Sequence, residues 1–164
     1  MDFTDMRVGS GYDAHRFVKG RPLVLGGETI PFEMGLEGHS DADVLLHSVC
    51  DAMLGAAGLG DIGEYFPDDD PQYLDISSLI LVEKCSQLLY KYGYRVVNLD
   101  VTVMAEKPKL GNHKRRMAQN IASAAGIDPG RVCVKATTNE GLGFIGRQEG
   151  ICAQAIVLLT KIPG

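Results

Sequence analysis

Ile151-Cys152-Ala153-Gln154-Ala155-Ile156-Val157-Leu158-Leu159 carries a single polar side chain. So apolar a run, bounded by Gly150 and Thr160, reads as a strand over Gly150–Thr160 that is buried on both faces. The chain's own helices can cover one face. The second needs either more of those helices or a neighbouring subunit, and the sequence leaves the two open. Val97–Met104 alternates Leu99, Val101 and Val103 against Asn98, Asp100 and Thr102, the pattern of a half-buried strand. Val132–Ala136 is a further strand, and Met6–Tyr12 a short one running into a loop. Leu23–Leu25 and Glu28–Ile30 flank Gly26-Gly27, a two-residue hairpin signal. A helix from about Ala42 to Ala57 has Ser40 or Asp41 as cap and Gly58 as stop. A second starts at Asp75 or Ser77 and runs to Tyr92 before Gly93. A third spans Leu110–Ala125 before Gly126. This order predicts the α+β class: one domain over residues 1–164, residues 1–5 a short leader, with a mixed β-sheet backed by helices on one face.

Composition agrees. The 164 residues are enough for about one domain. With 45% hydrophobic and 23% charged residues, wholesale disorder is excluded. A chain of this length buries roughly two-thirds of its unfolded surface and needs no structural metal or disulfide, so a metal site here would be functional. The net charge of −5 argues against a nucleic-acid or anionic-membrane partner. No run of eighteen apolar residues and no basic-then-apolar leader is present, so a cytoplasmic location is expected. Cys50, Cys85, Cys133 and Cys152 lie far apart in apolar stretches, and buried free thiols are expected.

Three constellations carry chemistry. In extended backbone, Asp13 and His15 of Asp13-Ala14-His15 point to the same side. In His39-Ser40-Asp41-Ala42-Asp43…His47, a helix starting near Asp41 stacks Asp43, His47 and Asp51 on one face. Asp13, His15 and His47 together match a catalytic zinc set with an open fourth position, although on pattern alone a helical His is more often packed or solvent-facing. In Ala136-Thr137-Thr138-Asn139-Glu140-Gly141-Leu142-Gly143-Phe144-Ile145-Gly146-Arg147, hydroxyls and N–H groups can bind phosphate and Glu140 can hold a hard cation; on spacing alone a plain loop between strands is the favoured reading. Lys114, Arg115 and Arg116 read as a solvated helix start. Asp68-Asp69-Asp70 reads as a solvated turn, or as a ligand-facing loop if the metal site is near.

Taken together, Gly11-Tyr12-Asp13-Ala14-His15, His39-Ser40-Asp41-Ala42-Asp43…His47, Gly60-Asp61-Ile62-Gly63…Phe66-Pro67-Asp68 and Lys135-Ala136-Thr137-Thr138-Asn139-Glu140…Gly143-Phe144-Ile145-Gly146-Arg147 resemble the 2-C-methyl-D-erythritol 2,4-cyclodiphosphate synthase family, in its order and spacing, over essentially the whole chain from Met6. The resemblance implies cyclisation of 4-diphosphocytidyl-2-C-methyl-D-erythritol 2-phosphate with release of CMP, in a homotrimer whose active sites lie between subunits. It implies Zn2+ on Asp13, His15 and His47, and Mg2+ or Mn2+ on Glu140 with the substrate phosphates. His39 and Thr138 match positions that stabilise the transition state. Ser40, Asp61, Ile62, Gly63, Phe66, Pro67, Asp68, Asp69 and Asp70 match the surroundings of the methylerythritol phosphate. Ala105, Glu106, Lys107, Pro108, Lys109, Leu110 and Gly111, with Ala136 and Thr137, match the cytidine pocket, and Ala14 and Asn139 match further substrate-binding positions. Phe144 and Arg147 match positions near substrate and the trimer cavity. Departures are Ala42 and Gln148, where Gly is common, and Asn139 and Gly141 beside Glu140. A metal-binding scaffold, and a zinc hydrolase using Asp43 or Asp51 as base, are the competing readings.

Overall fold

The computed structural model describes residues 5–163, so the expected leader lies almost wholly outside the described residues. The elements run β1 Met6–Val18, β2 Leu23–Leu25, β3 Glu28–Ile30, β4 Gly35–Leu36, α1 Val44–Ala57, α2 Ile62–Tyr65, α3 Ser78–Lys91, β5 Tyr94–Met104, α4 Lys114–Ala125, β6 Val132–Thr137, α5 Gly143–Gly146 and β7 Gly150–Lys161. Single 3-10 turns sit at Pro71–Tyr73 and Pro129–Arg131. Five strands form one sheet in the order β4-β1-β7-β5-β6, and β2 and β3 form a separate hairpin. Among the described residues only β5 and β6 pair in parallel, because α4 carries the chain back between them. The sheet is therefore mixed, as the element order predicts.

Its helix-facing side is the core. Leu99, Val101 and Val103 of β5, Ile151, Ala153, Ala155, Val157 and Leu159 of β7, and Leu45, Val49, Ala52 and Met53 of α1 are buried. The opposite face is open in the single chain. The strand registers align Tyr12, Gln154, Thr102 and Lys135 in one cross-strand row and Ser10, Ile156, Asp100 and Cys133 in the next. Val8, Tyr12 and Ile156 there are 69%, 58% and 40% exposed. The chain's own helices thus cover one face of β7 and leave the other uncovered.

Several boundaries differ from the sequence reading. β1 does not stop at Tyr12, because its antiparallel ladder with β7 continues to Arg16↔Gly150 and holds Asp13–His15 extended. The helix expected from Ala42 begins at Val44, since Ala42 has φ +59° and cannot enter an α-helix. Gln148 also has positive φ, at 58°, so both departures from Gly named above fall where the backbone suits Gly. The third helix starts at Lys114, and β5 begins at Tyr94 with a bulge between Val96 and Asn98. Cys133 is exposed, contrary to expectation, because it lies on the open face; Cys50, Cys85 and Cys152 are buried and free. Among the described residues, no helix is long and apolar enough to cross a membrane.

Candidate active site and metal centre

Two glycines set the site. A methyl group on Gly9 would overlap the Ala52 carbonyl oxygen, and one on Gly11 that of Ser48, so the backbone of α1 rests directly on β1. The helix start is pinned by Asp43. Its buried carboxylate accepts the N–H groups of Leu46 at 3.1 Å, Gly26 at 3.0 Å and Gly27 at 2.8 Å, joining the N-terminus of α1 to the β2–β3 turn. Asp43 therefore faces the hairpin. It does not share a stripe with His47, and it is unavailable as a general base. Burial, helped by the Asp41 charge, pushes Asp43 up to about 6 against the pull of those N–H groups.

His47, one turn on, meets the extended β1 segment. Asp13 Oδ2 lies 2.7 Å from His15 Nε2 and 3.1 Å from His47 Nδ1, and the two ring nitrogens are 3.3 Å apart. Tetrahedral ligands at about 2.0 Å from a metal are about 3.3 Å from one another, so the three donors have the spacing of one face of a coordination tetrahedron. The outer nitrogens are engaged as well. His15 Nδ1 bonds the Glu37 carbonyl, which can only accept, and His47 Nε2 sits 3.0 Å from Ser40 Oγ and 3.1 Å from Ser78 Oγ. Outer hydrogen bonds of this kind leave the inner nitrogen of each ring unprotonated. Three lone-pair atoms then converge, which is unfavourable unless a cation lies among them, so the donor set fits a bound metal. Burial alone would raise the Asp13 carboxyl, but in the metal-free chain hydrogen bonds from His15 and His47, once those rings take up protons, outweigh it and hold the group well below the usual range. Burial would likewise lower His15, yet the Asp13 carboxylate raises it.

The triad lines a cleft of ≈ 220 Å³ together with His39, Ser40, Asp51, Ile62, Gly63, Phe66 and Asp68. His39 donates from Nε2 to the Asp70 carbonyl at 3.0 Å. Asp51 accepts the Ile62 N–H at 2.8 Å, and burial raises its carboxyl. Asp61 and Asp70 instead cap local N–H groups at the surface, Asp61 that of Glu64 and Asp70 that of Gln72. Pro67 and Asp69 do not line the cleft.

A second cleft of ≈ 380 Å³ is bounded by Ala105, Pro108, Lys109, Leu110, Gly111 and Lys114 on one side and Ala136, Thr137 and Thr138 on the other. Parallel pairing of Val103 with Ala136 and Met104 with Thr137 brings these loops together. Glu106 holds them in place by accepting the N–H groups of Asn139 at 2.9 Å and Gly141 at 3.1 Å, while Lys107 is exposed. Thr138 Oγ1 donates to Glu140 Oε1 at 3.2 Å, and the Glu140 carboxylate is exposed. Phe144 lines a third, wider cleft with Ala14, Arg16 and Gln148, and Arg147 pairs with Glu149 at 2.6 Å. The triad cleft and the second cleft share no lining residue. One chain thus gathers Asp13, His15, His39, Ser40, His47, Ile62, Gly63, Phe66 and Asp68 at one place, and leaves Thr138 and the 105–111 loop at another. Sequence reading did not single out Ser78, Tyr73 or Leu81 near the triad; they lie 26–34 residues from His47 and no local spacing signals them.

Residues 6–160 match the model of the YgbB family. The 2-C-methyl-D-erythritol 2,4-cyclodiphosphate synthase of Desulfosudis oleivorans is 58% identical over 156 residues, covering 95% of this chain and 93% of that protein. The bifunctional IspDF of Campylobacter jejuni superimposes with a TM-score of 0.92 at 46% identity; the match covers 96% of this chain but only 42% of the bifunctional one. Plasmodium falciparum IspF, solved as a CDP complex, superimposes with a TM-score of 0.84 at 34% identity, covering 99% of this chain and all of that one. With residues 6–160 matching the family model and the fold shared with these structures over almost its entire length, the chain belongs to the YgbB family.

Proposed function

We propose that this chain is a 2-C-methyl-D-erythritol 2,4-cyclodiphosphate synthase, a single-domain cytoplasmic homotrimer over residues 1–164. It converts 4-diphosphocytidyl-2-C-methyl-D-erythritol 2-phosphate to the cyclic diphosphate and CMP. An oxygen of the 2-phosphate forms a bond to the β-phosphorus. The bond from that phosphorus to the oxygen bridging to the α-phosphorus breaks, and the bridging oxygen leaves with its electron pair as part of CMP. No redox step and no protein nucleophile is needed, so the residues act by positioning and by neutralising charge.

The observation that carries this reading is the convergence of Asp13 Oδ2, His15 Nε2 and His47 Nδ1 on a cleft walled by Ser40, Ile62, Gly63, Phe66 and Asp68. Asp13, His15 and His47 would hold zinc, which when bound would supply Lewis-acid polarisation of a phosphate oxygen, and the exposed Glu140 carboxylate would hold magnesium or manganese, which would offset diphosphate charge. His39 and the Thr138 hydroxyl hydrogen-bond the phosphates as charge shifts from attacking to leaving oxygen. Ser40, Ile62, Gly63 and the 66–70 loop enclose the methylerythritol phosphate. The 105–111 loop, with Ala136 and Thr137, reads the cytosine edge through backbone groups. The separation of the two clefts and the uncovered sheet face support a site assembled from two copies, the triad from one and Thr138, Glu140 and the cytidine loop from the next. Phosphorus NMR of the protein with substrate, zinc and magnesium tests the reaction. Equal amounts of CMP and cyclic diphosphate are expected; linear phosphates would replace this reading with a zinc hydrolase, and no turnover by the zinc-loaded protein with a metal-binding scaffold.

A further inference from the structure

We infer that Ser78 is a positioning residue for His47, fixing the imidazole so that an unprotonated Nδ1 faces Asp13 and His15, while Ser40, equally close to the same ring, is left to serve the substrate. The inference rests on the ligand set proposed above. Ser78 opens α3 and is completely buried. Its Oγ lies 2.5 Å from Asp41 Oδ1 and 3.1 Å from His47 Nε2, and its backbone N–H donates to Asp41 Oδ2 at 2.9 Å. A hydroxyl has one proton and a carboxylate only accepts. The Ser78 proton is therefore committed to Asp41, and only its lone pairs face the imidazole. With a metal held on Nδ1 the ring proton sits on His47 Nε2, and Ser78, its own proton committed, offers that N–H a lone pair. Carboxylate, hydroxyl and imidazole form a chain with a single direction of donation that ends at the metal-facing nitrogen.

Ser40 differs although its Oγ lies 3.0 Å from the same nitrogen. It accepts the Ala42 N–H at 3.2 Å, and its separation from Ser78 Oγ is 3.5 Å, at the limit of a hydrogen bond. With Nε2 already protonated, Ser40 has no good acceptor within the protein for its own proton, and it lines the triad cleft. That proton is available to an anionic oxygen of a bound phosphate. Asp41 is fixed for its part, since its N–H donates to the Ile76 carbonyl at 3.0 Å and its Oδ1 also accepts the Asp43 N–H at 3.2 Å.

The test uses the full chain with Ser78→Ala, Ser78→Thr, Ser40→Ala and His47→Ala. Zinc affinity is read by competition with a chromogenic chelator, and KM at saturating zinc. Loss of an outer partner of a metal-bound histidine typically weakens affinity about 10–100-fold. Ser78→Ala is expected to fall in that range with little change in KM. Ser78→Thr, which keeps the hydroxyl, should restore affinity, and Ser40→Ala should raise KM more than it weakens zinc binding. Nitrogen-15 and proton shifts of the His47 Nε2–H in the zinc-loaded protein give a second readout: a downfield, hydrogen-bonded N–H in wild type and Ser78→Thr, and an upfield shift in Ser78→Ala. If Ser78→Ala does not fold, Ser78→Cys, close in size but a weak acceptor, reads the same loss. Wild-type affinity and an unshifted Nε2–H in the folded Ser78 variant would overturn the inference, as would equal losses of zinc in Ser40→Ala and Ser78→Ala. Wild-type zinc binding by His47→Ala would instead overturn the ligand set on which it stands.

Discussion

Asp43 is the residue on which the most local structure depends, since its carboxylate satisfies N–H groups of both α1 and the β2–β3 turn. Burial holds it at about 6 in the folded chain, above the ordinary value of 3.8. Because the folded form binds this proton more tightly, the group's contribution to stability is full below pH 3.8 and is lost as pH rises through 6. The loss amounts to about 2 kcal/mol between pH 4 and pH 7. Asp43→Asn does not ionise, so its stability relative to wild type should improve by about that amount across the same range, measured by urea unfolding; a constant difference would show that Asp43 does not titrate there. At the other cleft, Glu140→Gln is expected to keep zinc and lose magnesium-dependent turnover, because only the exposed carboxylate is changed. An unaltered magnesium titration would remove Glu140 from cation binding.

The contact of α1 with β1 decides whether the triad forms. In Gly11→Ala the new methyl group would overlap the Ser48 carbonyl, next to His47, and α1 must lift. A loss of about 1–3 kcal/mol is expected, seen as a lower melting temperature, together with weaker zinc binding. Gly55, on the outer side of the same helix, has nothing within 4 Å of an added methyl group. Gly55→Ala should therefore raise stability by up to about 1 kcal/mol through helix propensity. Were the two variants to behave alike, helix propensity rather than the close approach would govern this element. The ends of α1 and α4 were legible in the sequence because Gly58 and Gly126 adopt the left-handed conformation that closes a helix. Their starts were less so. Asp43, rather than Ser40 or Asp41, caps α1, and the positive φ of Ala42 that forces this choice leaves no mark in the side chains. The continuation of β1 through Asp13 and His15 was hidden too, since polar residues there are held extended by pairing with β7 and not by alternation.

Across the whole molecule, the mixed sheet with helices on one face follows from the order of elements, and the parallel β5–β6 pair from the helix between them. What lies against the other face does not, because an apolar strand looks the same whether a helix or another subunit covers it. The triad was readable from two short motifs. Its separation from Thr138 and the 105–111 loop was not, because sequence order says nothing of which copy completes a site. On the account proposed here the uncovered face meets its neighbours, so Ile156→Arg, which places a charge in the middle of that face, should shift sedimentation from trimer towards monomer and abolish turnover while zinc binding persists. A trimer that survives this change would move the interface elsewhere.

If two copies complete each site, mixing two inactive variants restores activity. His47→Ala and Thr138→Ala are each expected to be inactive alone, since each disables one half of every site. After the two are dissociated and reassembled together in equal amounts, random placement around a closed ring leaves about one site in four with both halves intact. Phosphorus NMR should then show CMP and cyclic diphosphate formed at about a quarter of the wild-type rate per chain. A mixture as inactive as its parts, despite verified exchange of subunits, would mean that His47 and Thr138 act from the same chain.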